Sequence, residues 1–284
     1  METYRLEKAR IIDGFERAAA DYEKNAVLPR EVRAHLLERL DYLALDPVVV
    51  LDLGAATGVS AASLSERYPR AGVIALDIAP GMVNRVVEQP RIEPLCADAS
   101  NIPLPDQSVD LIFSNLMLPW CDDLDAVLRE SRRLIAPQGA FAFSTFGPDT
   151  LHELRRAWRE VDSHEHVHAF FDMHDIGDAL MRAGYAEPVI DVERFKLTYT
   201  RMSDLQRDLR HMGSLNALPG RRRGLVGAGA FRTVERGYES FREEGVLPAT
   251  FEVIYGQAWG PQSGSGDAID DGIARIPIDQ IGRR

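Results

Sequence analysis

The chain predicts an α/β fold in which helices wind over both faces of a parallel sheet, and three observations carry that prediction. An apolar run, Val48-Val49-Val50-Leu51-Asp52-Leu53, stops at the glycine turn Gly54-Ala55-Ala56-Thr57-Gly58, with a helix expected over 60–68. A second apolar run, Val73 to Leu76, closes on Asp77 at about the ~20-residue offset at which such folds hold a ribose hydroxyl. Strand-like and helix-like segments then keep alternating: a helix over 80–89, strands Ile92–Cys96 and Val109–Asn115, and a helix Leu124–Leu134. A turn at Pro137-Gln138-Gly139 leads into a strand over 140–144.

Ahead of the first strand, Ile11, Phe15 and Tyr22, then Val32, Leu36, Leu37 and Leu40, recur at helical spacing, so residues 1–45 read as a helical cap and 46–260 as the sheet domain. In the second half an amphipathic helix is expected over 150–161. The stretch 162–171 holds His164, His166 and His168, which would share one face of a strand. With only Glu165 nearby no zinc pattern is formed, and a mobile loop is expected. A helix over 175–183 ends at Gly184, an extended segment covers 188–199, a helix over 203–211 opens on an N-cap at Ser203-Asp204, another covers 231–243, and a last strand covers 249–259. The helices within about 201–245 are expected to form a lid over the substrate mouth. Gly-Ser alternation after Gly260 predicts a flexible tail over 261–284.

With 284 residues, 45% of them apolar, there is enough for one large α/β domain with additions, or at most two domains. No apolar run approaches the ~18 residues of a membrane span, and the charged start lacks a signal-peptide core, so a cytoplasmic protein is expected. Cys96 and Cys121 fit neither a disulfide framework nor metal-ligand spacing, which suits a reducing compartment. The net charge of −11, from 33 basic and 44 acidic residues, argues against broad adhesion to nucleic acid.

Gly54 and Gly58 let a ligand come close to the backbone. The spacing fits neither G-x-G-x-x-G nor the P-loop lysine pattern, so the residues themselves point to an adenosine-containing ligand and no further. In a doubly wound sheet ligands sit beyond the carboxyl ends of the strands, where Gly54, Asp77, Asp98 and Asn115 all fall. Asp98 reads as a cofactor contact or a helix cap, and Asn115 as a cofactor contact or a turn residue.

The turn resembles motif I of the class I methyltransferases, with Ala56 where that family usually has a third glycine. The resemblance implies S-adenosylmethionine as methyl donor, no metal, and a Rossmann-like seven-stranded sheet, parallel except for the last strand. It also implies that Gly54, Ala55 and Gly58 surround the cofactor, that Asp98 meets the adenine amino group with the Ala99 backbone beside the ring, and that Asn115 lies beside the methionine part. Over about residues 15–259 the chain resembles the malonyl-[acyl-carrier protein] O-methyltransferases of biotin synthesis. The matching pieces are Phe15-Glu16-Arg17-Ala18-Ala19-Ala20-Asp21-Tyr22, Ser114-Asn115-Leu116 with Trp120-Cys121, Glu153-Leu154 with Ala157-Trp158, Arg207-Asp208-Leu209-Arg210 with Met212-Gly213, and Pro248-Ala249-Thr250-Phe251. Pro119 stands where that family often has glutamine.

This second resemblance implies methyl transfer to the free carboxylate of a malonyl thioester, masking its charge so that fatty-acid enzymes can extend it toward pimelate. A carboxylate is already ionised at neutral pH, so no general base is needed, and alignment of oxygen, methyl and sulfur carries the acceleration. Bidentate arginine suits carboxylate recognition, with Arg155, Arg201, Arg207 and Arg210 as candidates. Tyr22 is expected to contact the cofactor or the acceptor, and Trp120 to wall the acceptor side. Arg221-Arg222-Arg223 could dock an acidic carrier protein. A competing resemblance, to the arginine hydroxylase of complex I assembly, rests on Asp149-Thr150-Leu151 with Glu153-Leu154, Asp175-Ile176-Gly177 and Arg182-Ala183-Gly184. It implies a protein acceptor. A non-catalytic module that keeps the cofactor as a structural ligand ranks last, because Gly54, Gly58, Asp77 and Asp98 are all present.

Overall fold

A computed structural model describes residues 6–86, 91–224 and 226–260. The tail expected over 261–284 and the last residues of the helix expected over 80–89 lie outside the described residues. The helical cap expected before the first strand is built from α1 (Lys8–Ala18), α2 (Tyr22–Asn25) and α3 (Val27–Arg39). The chain leaves helical geometry at Asp21 (φ −123°) and again at Ala26, where ψ is +54°. The Asn25 side-chain amide donates to the Asp21 carbonyl, the kind of local side-chain bond that competes with helix continuation.

The sheet domain follows as β1 (Val49–Leu53), α4 (Val59–Arg67), β2 (Gly72–Asp77), α5 (Pro80–Val86), β3 (Ile92–Cys96), β4 (Val109–Asn115) and α6 (Leu124–Leu134). Then come β5 (Ile135–Phe146), α7 (His152–Arg159), α8 (Met173–Arg182), β6 (Ala186–Tyr199), α9 (Met202–His211), α10 (Ala228–Glu239) and β7 (Leu247–Trp259). Strand order is β3-β2-β1-β4-β5-β7-β6. Every pairing is parallel except those of β7, which runs antiparallel to both β5 and β6, so the last strand in sequence is the reversed one.

Alternating side chains send each central strand into two cores. Val50 and Phe113 pack on one face of the sheet with Leu36 of α3 and Leu64 of α4, while Leu51 and Ile112 pack on the other with Leu128 of α6 and Leu180 of α8. All eight side chains are essentially inaccessible to water. Strand order reverses between β1 and β4, which places the ligand crevice at the carboxyl ends of β1, β2, β3 and β4.

Two local expectations are corrected. Pro137-Gln138-Gly139 does not precede the fifth strand but interrupts it. Pairing with β4 jumps from Val109↔Ile135 to Leu111↔Ala140, and Gln138 takes a left-handed φ of +64° in the looped-out residues. α9 begins one residue earlier than its expected Ser203-Asp204 cap. Its N-cap is Arg201, with no side-chain cap bond, and Asp204 instead supplies the negative charge that the first turn favours. Of the two helices expected to cover the mouth, α9 runs into residues that border the central cavity, whereas α10 packs on α7, where Gly237 approaches Ala157. Among the described residues no helix is long and apolar enough to cross a membrane.

Candidate active site

The glycine turn is built by main-chain bonds to the next strand. The Gly54 and Ala55 N–H groups both donate to the Leu76 carbonyl at 2.8 Å, which fastens the end of β1 to the end of β2. Gly54 sits at φ +81°, and a Cβ there would lie 2.3 Å from Cγ of Met117. Ala56, in place of a third glycine, adopts φ +48° and donates its N–H to Asp77 Oδ2 at 2.9 Å; Ala79 N–H donates to Oδ1 at the same distance. Burial raises the Asp77 pKa above the ordinary carboxylate value, and the bonds from Ala79, Ala56 and Ile78 offset only part of that. From the other side, Thr57 donates its hydroxyl to Glu23 of α2, which also pairs with Arg33 of α3 at 3.8 Å, so the cap is tied to the turn.

At the end of β3, Asp98 Oδ1 accepts from the backbone and hydroxyl of Ser100, and Oδ2 accepts from Lys8 Nζ at 2.8 Å. Burial would raise its pKa, but the Lys8 and Ser100 bonds outweigh that and hold it below the usual range. The Asn115 amide donates to the Pro29 carbonyl at 3.0 Å and its oxygen accepts from Ser144 at 2.9 Å, so this side chain joins α3 to β5 as well as facing the crevice.

Gly54, Asp77, Asp98, Ala99 and Asn115 border one cavity of about 430 Å³, within the ~300–1,000 Å³ range of small-molecule sites. Ala55 and Gly58 do not reach its wall: Ala55 is buried in the core and Gly58 lies against Val86. Tyr22 and Trp120 border the same cavity, together with Ile11 and Phe15 of α1. Burial pushes the Tyr22 hydroxyl well above its ordinary pKa, so it stays protonated. The Trp120 ring meets Phe15 and His168 edge-to-face, each at 5.3 Å between centroids.

The expected loop is present as an irregular segment, and its three histidines have three different environments. His164 is exposed. His166 stacks on Trp158 at 3.7 Å and 6° and bonds Asp162 through Nε2 at 2.8 Å. His168 is buried, accepts the Ala217 N–H at Nε2 and bonds the Pro119 carbonyl; burial lowers its pKa to about 4, so it is neutral at physiological pH. Both His166 and His168 border the cavity. Among the described residues no group of three or more His, Cys, Asp or Glu could hold a metal ion.

None of the four candidate arginines borders the cavity. Arg155 donates to the carbonyls of Pro148, Thr150 and His168 and thereby ties α7 to the histidine segment. Arg201 and Arg207 pair with Asp204 at the surface, and Arg210 is exposed. The basic run is also largely engaged within the chain. Arg221 bonds Glu7 and Arg222 bonds Asp162, while Arg223, 74% exposed, reaches Glu7 at 3.3 Å.

Sequence reasoning missed Lys8, Phe15 and the two wall histidines. The signal was there: Lys8, Ile11, Phe15 and Tyr22 follow one another at three-, four- and seven-residue steps, and all four border the crevice. Also unforeseen was Asp52 on β1, 1% exposed, with neither carboxylate oxygen hydrogen-bonded.

The fold and crevice are those of the class I S-adenosylmethionine-dependent methyltransferases. A family model described as "Methyltransferase domain" matches residues 51–143. The structure of an S-adenosylmethionine-dependent methyltransferase from Thermotoga maritima aligns with TM-score 0.53 at 17% identity, over 88% of this chain and 99% of that one. Within that class, the malonyl-[acyl-carrier protein] O-methyltransferase of Methylovorus sp. (strain MP688) is 48% identical over 97% of this chain and 96% of its own length. That of Halorhodospira halophila is 46% identical over 95% of this chain and 94% of its own. The chain belongs to the malonyl-[acyl-carrier protein] O-methyltransferase family, and the arginine-hydroxylase alternative is not favoured. The segment behind that alternative is a structural junction: Thr150 and Glu252 exchange hydrogen bonds, and Glu153 accepts from the backbone and hydroxyl of Thr250, anchoring the loop before α7 to β7.

Proposed function

We propose that this chain transfers the methyl group of S-adenosylmethionine to the free carboxylate of malonyl-[acyl-carrier protein], the step that lets the pimeloyl moiety of biotin be built. One observation carries the reading: a single cavity joins the Gly54–Asp77–Asp98 rim to the aromatic wall of Phe15 and Trp120. The rim fits the cofactor. An ionised Asp carboxylate offers about four lone-pair sites. Ala56, Ala79 and Ile78 take up part of that capacity, and the remainder is open to a ribose hydroxyl. The absent Cβ of Gly54 keeps the turn open, Ala99 offers backbone beside the adenine, and Asp98 Oδ2, with one lone pair taken by Lys8, keeps the other for the adenine amino group.

Bound there, S-adenosylmethionine supplies an electrophilic methyl on a positively charged sulfur. The chain's own contribution is alignment and exclusion of water. Phe15 and Trp120 wall the acceptor chamber, and the Tyr22 hydroxyl and the neutral His168 ring add polar groups that do not compete for the methyl. No proton has to move, because the nucleophile arrives ionised. The partner is an acyl carrier protein. We assign its docking to the 221–223 segment through the exposed Arg223, with Arg221 and Arg222 holding that segment in place. The reaction belongs to the cytoplasm, a compartment that suits the free thiols Cys96 and Cys121.

Complementation tests the reading. A bacterium deleted for its own enzyme of this step grows without biotin when it expresses this chain. Failure to grow, with the protein folded and abundant, contradicts the proposal.

A further inference from the structure

The acceptor carboxylate needs a cationic partner, and the candidate arginines do not reach the cavity. Among the described residues, the side chains on its wall able to carry positive charge are Lys8, His166 and His168. Lys8 is bonded to Asp98, at the adenine end. His168 has both ring nitrogens occupied, by Ala217 and Pro119, and is held neutral in its buried position. His166 remains.

We propose that His166, backed by Asp162, is the residue that binds the acceptor carboxylate; the inference rests on the malonyl thioester being the substrate. The ring is held on two sides, by its stack on Trp158 and by the Nε2–Asp162 bond, so it is pre-oriented at little further entropic cost. Nε2 is committed to Asp162, which borders the outer surface pocket and not the cavity, so Nδ1 is the ring nitrogen left for a ligand. With Asp162 accepting at Nε2 and the substrate carboxylate at Nδ1, the imidazole carries both protons, and two anions flank one cation. The charged and titratable groups around the pair are Arg222, which bonds Asp162 at 3.2 Å, and Arg155, Arg159, His164 and Glu165, which border the same outer pocket. Arg222 keeps Asp162 from being left as an uncompensated negative charge facing the incoming acid. A single N–H leaves the second carboxylate oxygen without a donor from this ring and therefore free to attack, which a bidentate arginine would not.

The test is calorimetric, with S-adenosylhomocysteine present. Malonyl-pantetheine and its methyl ester differ in the negative charge and one methyl group, and binding of each is measured to the native chain, His166→Gln and His166→Phe. Gln retains a donor toward Asp162 without charge, and Phe retains the stack on Trp158, so the two together separate folding from recognition. The native chain is expected to prefer the acid by at least tenfold, and both variants to lose that preference while cofactor affinity stays unchanged. A native chain with no preference, or a variant that keeps it, overturns the proposal. Turnover of malonyl-carrier protein by the native chain is scored in parallel: absent turnover rejects the substrate reading itself, whereas turnover with intact acid preference in both variants rejects His166 alone.

Discussion

Asp52→Asn tests a fully buried carboxyl on β1 with neither oxygen in a well-formed hydrogen bond. Burial raises the Asp52 pKa to about 8, Arg33 pulls it down and Asp77 pushes it up. In the unfolded chain the same group titrates near ~3.9. The native state therefore keeps a proton that the unfolded state releases, so the stabilising contribution is complete below about pH 4 and is lost as pH rises toward 8. His168 acts oppositely: its pKa falls from an ordinary ~6.5 to about 4, so protonation of the unfolded chain erodes stability as pH drops through that window. The two slopes oppose one another below about pH 6.5, and above it only Asp52 acts. Each bound proton is worth a little over ~1 kcal/mol per pH unit, so Asp52 accounts for a loss of roughly 2 kcal/mol between pH 6.5 and 8. Urea unfolding of the native chain and of Asp52→Asn, at half-unit pH steps, measures this. The difference between the two should change by about that amount across the window in favour of Asn, because its amide does not titrate. A flat difference would mean that Asp52 is already ionised in the native state, and the reasoning from burial would fail.

Three further outcomes are expected. Asp77→Asn keeps the shape of the rim but removes the charged acceptor, and should weaken S-adenosylmethionine binding by about 1–3 kcal/mol in calorimetry; unchanged affinity would remove Asp77 from the ribose site. Gly54→Ala places a methyl against Met117 at a left-handed φ, and should cost about 1–3 kcal/mol of stability along with cofactor affinity; a thermal midpoint within error of the native one would contradict the close approach. Arg155→Met leaves the Pro148, Thr150 and His168 carbonyls without that donor, so the melting temperature should fall while KM for the malonyl thioester in surviving folded protein stays unchanged; a large rise in KM would return Arg155 to the substrate.

The parallel sheet was legible in the sequence because β1, β2 and β4 are buried on both faces and read as near-continuous apolar runs bounded by turn residues. The rim was legible because Gly54 and Asp77 are set by the distance between consecutive strands, a local spacing. Most of the acceptor side was not, since it is assembled from α1, the turn after β4 and the 164–170 segment, which lie far apart in the chain and meet around Trp120. Arginine was the reasonable expectation for carboxylate recognition, but a charge at helical spacing says nothing of which face the helix presents. Arg155 turns toward carbonyls, and Arg201 and Arg207 toward Asp204. The histidine segment is the loop that its spacing suggests; what anchors it, Trp158, Asp162 and Ala217, is visible only in three dimensions.

The central claim is methyl transfer to a malonyl carboxylate, and intact-mass analysis of malonyl-carrier protein after incubation with the purified chain and S-adenosylmethionine tests it most directly. The account predicts one added methyl on malonyl-carrier protein, removable by mild alkali as an ester, and none on succinyl-carrier protein. Cofactor binding without any methyl on the malonyl species, or equal methylation of both carriers, would contradict it.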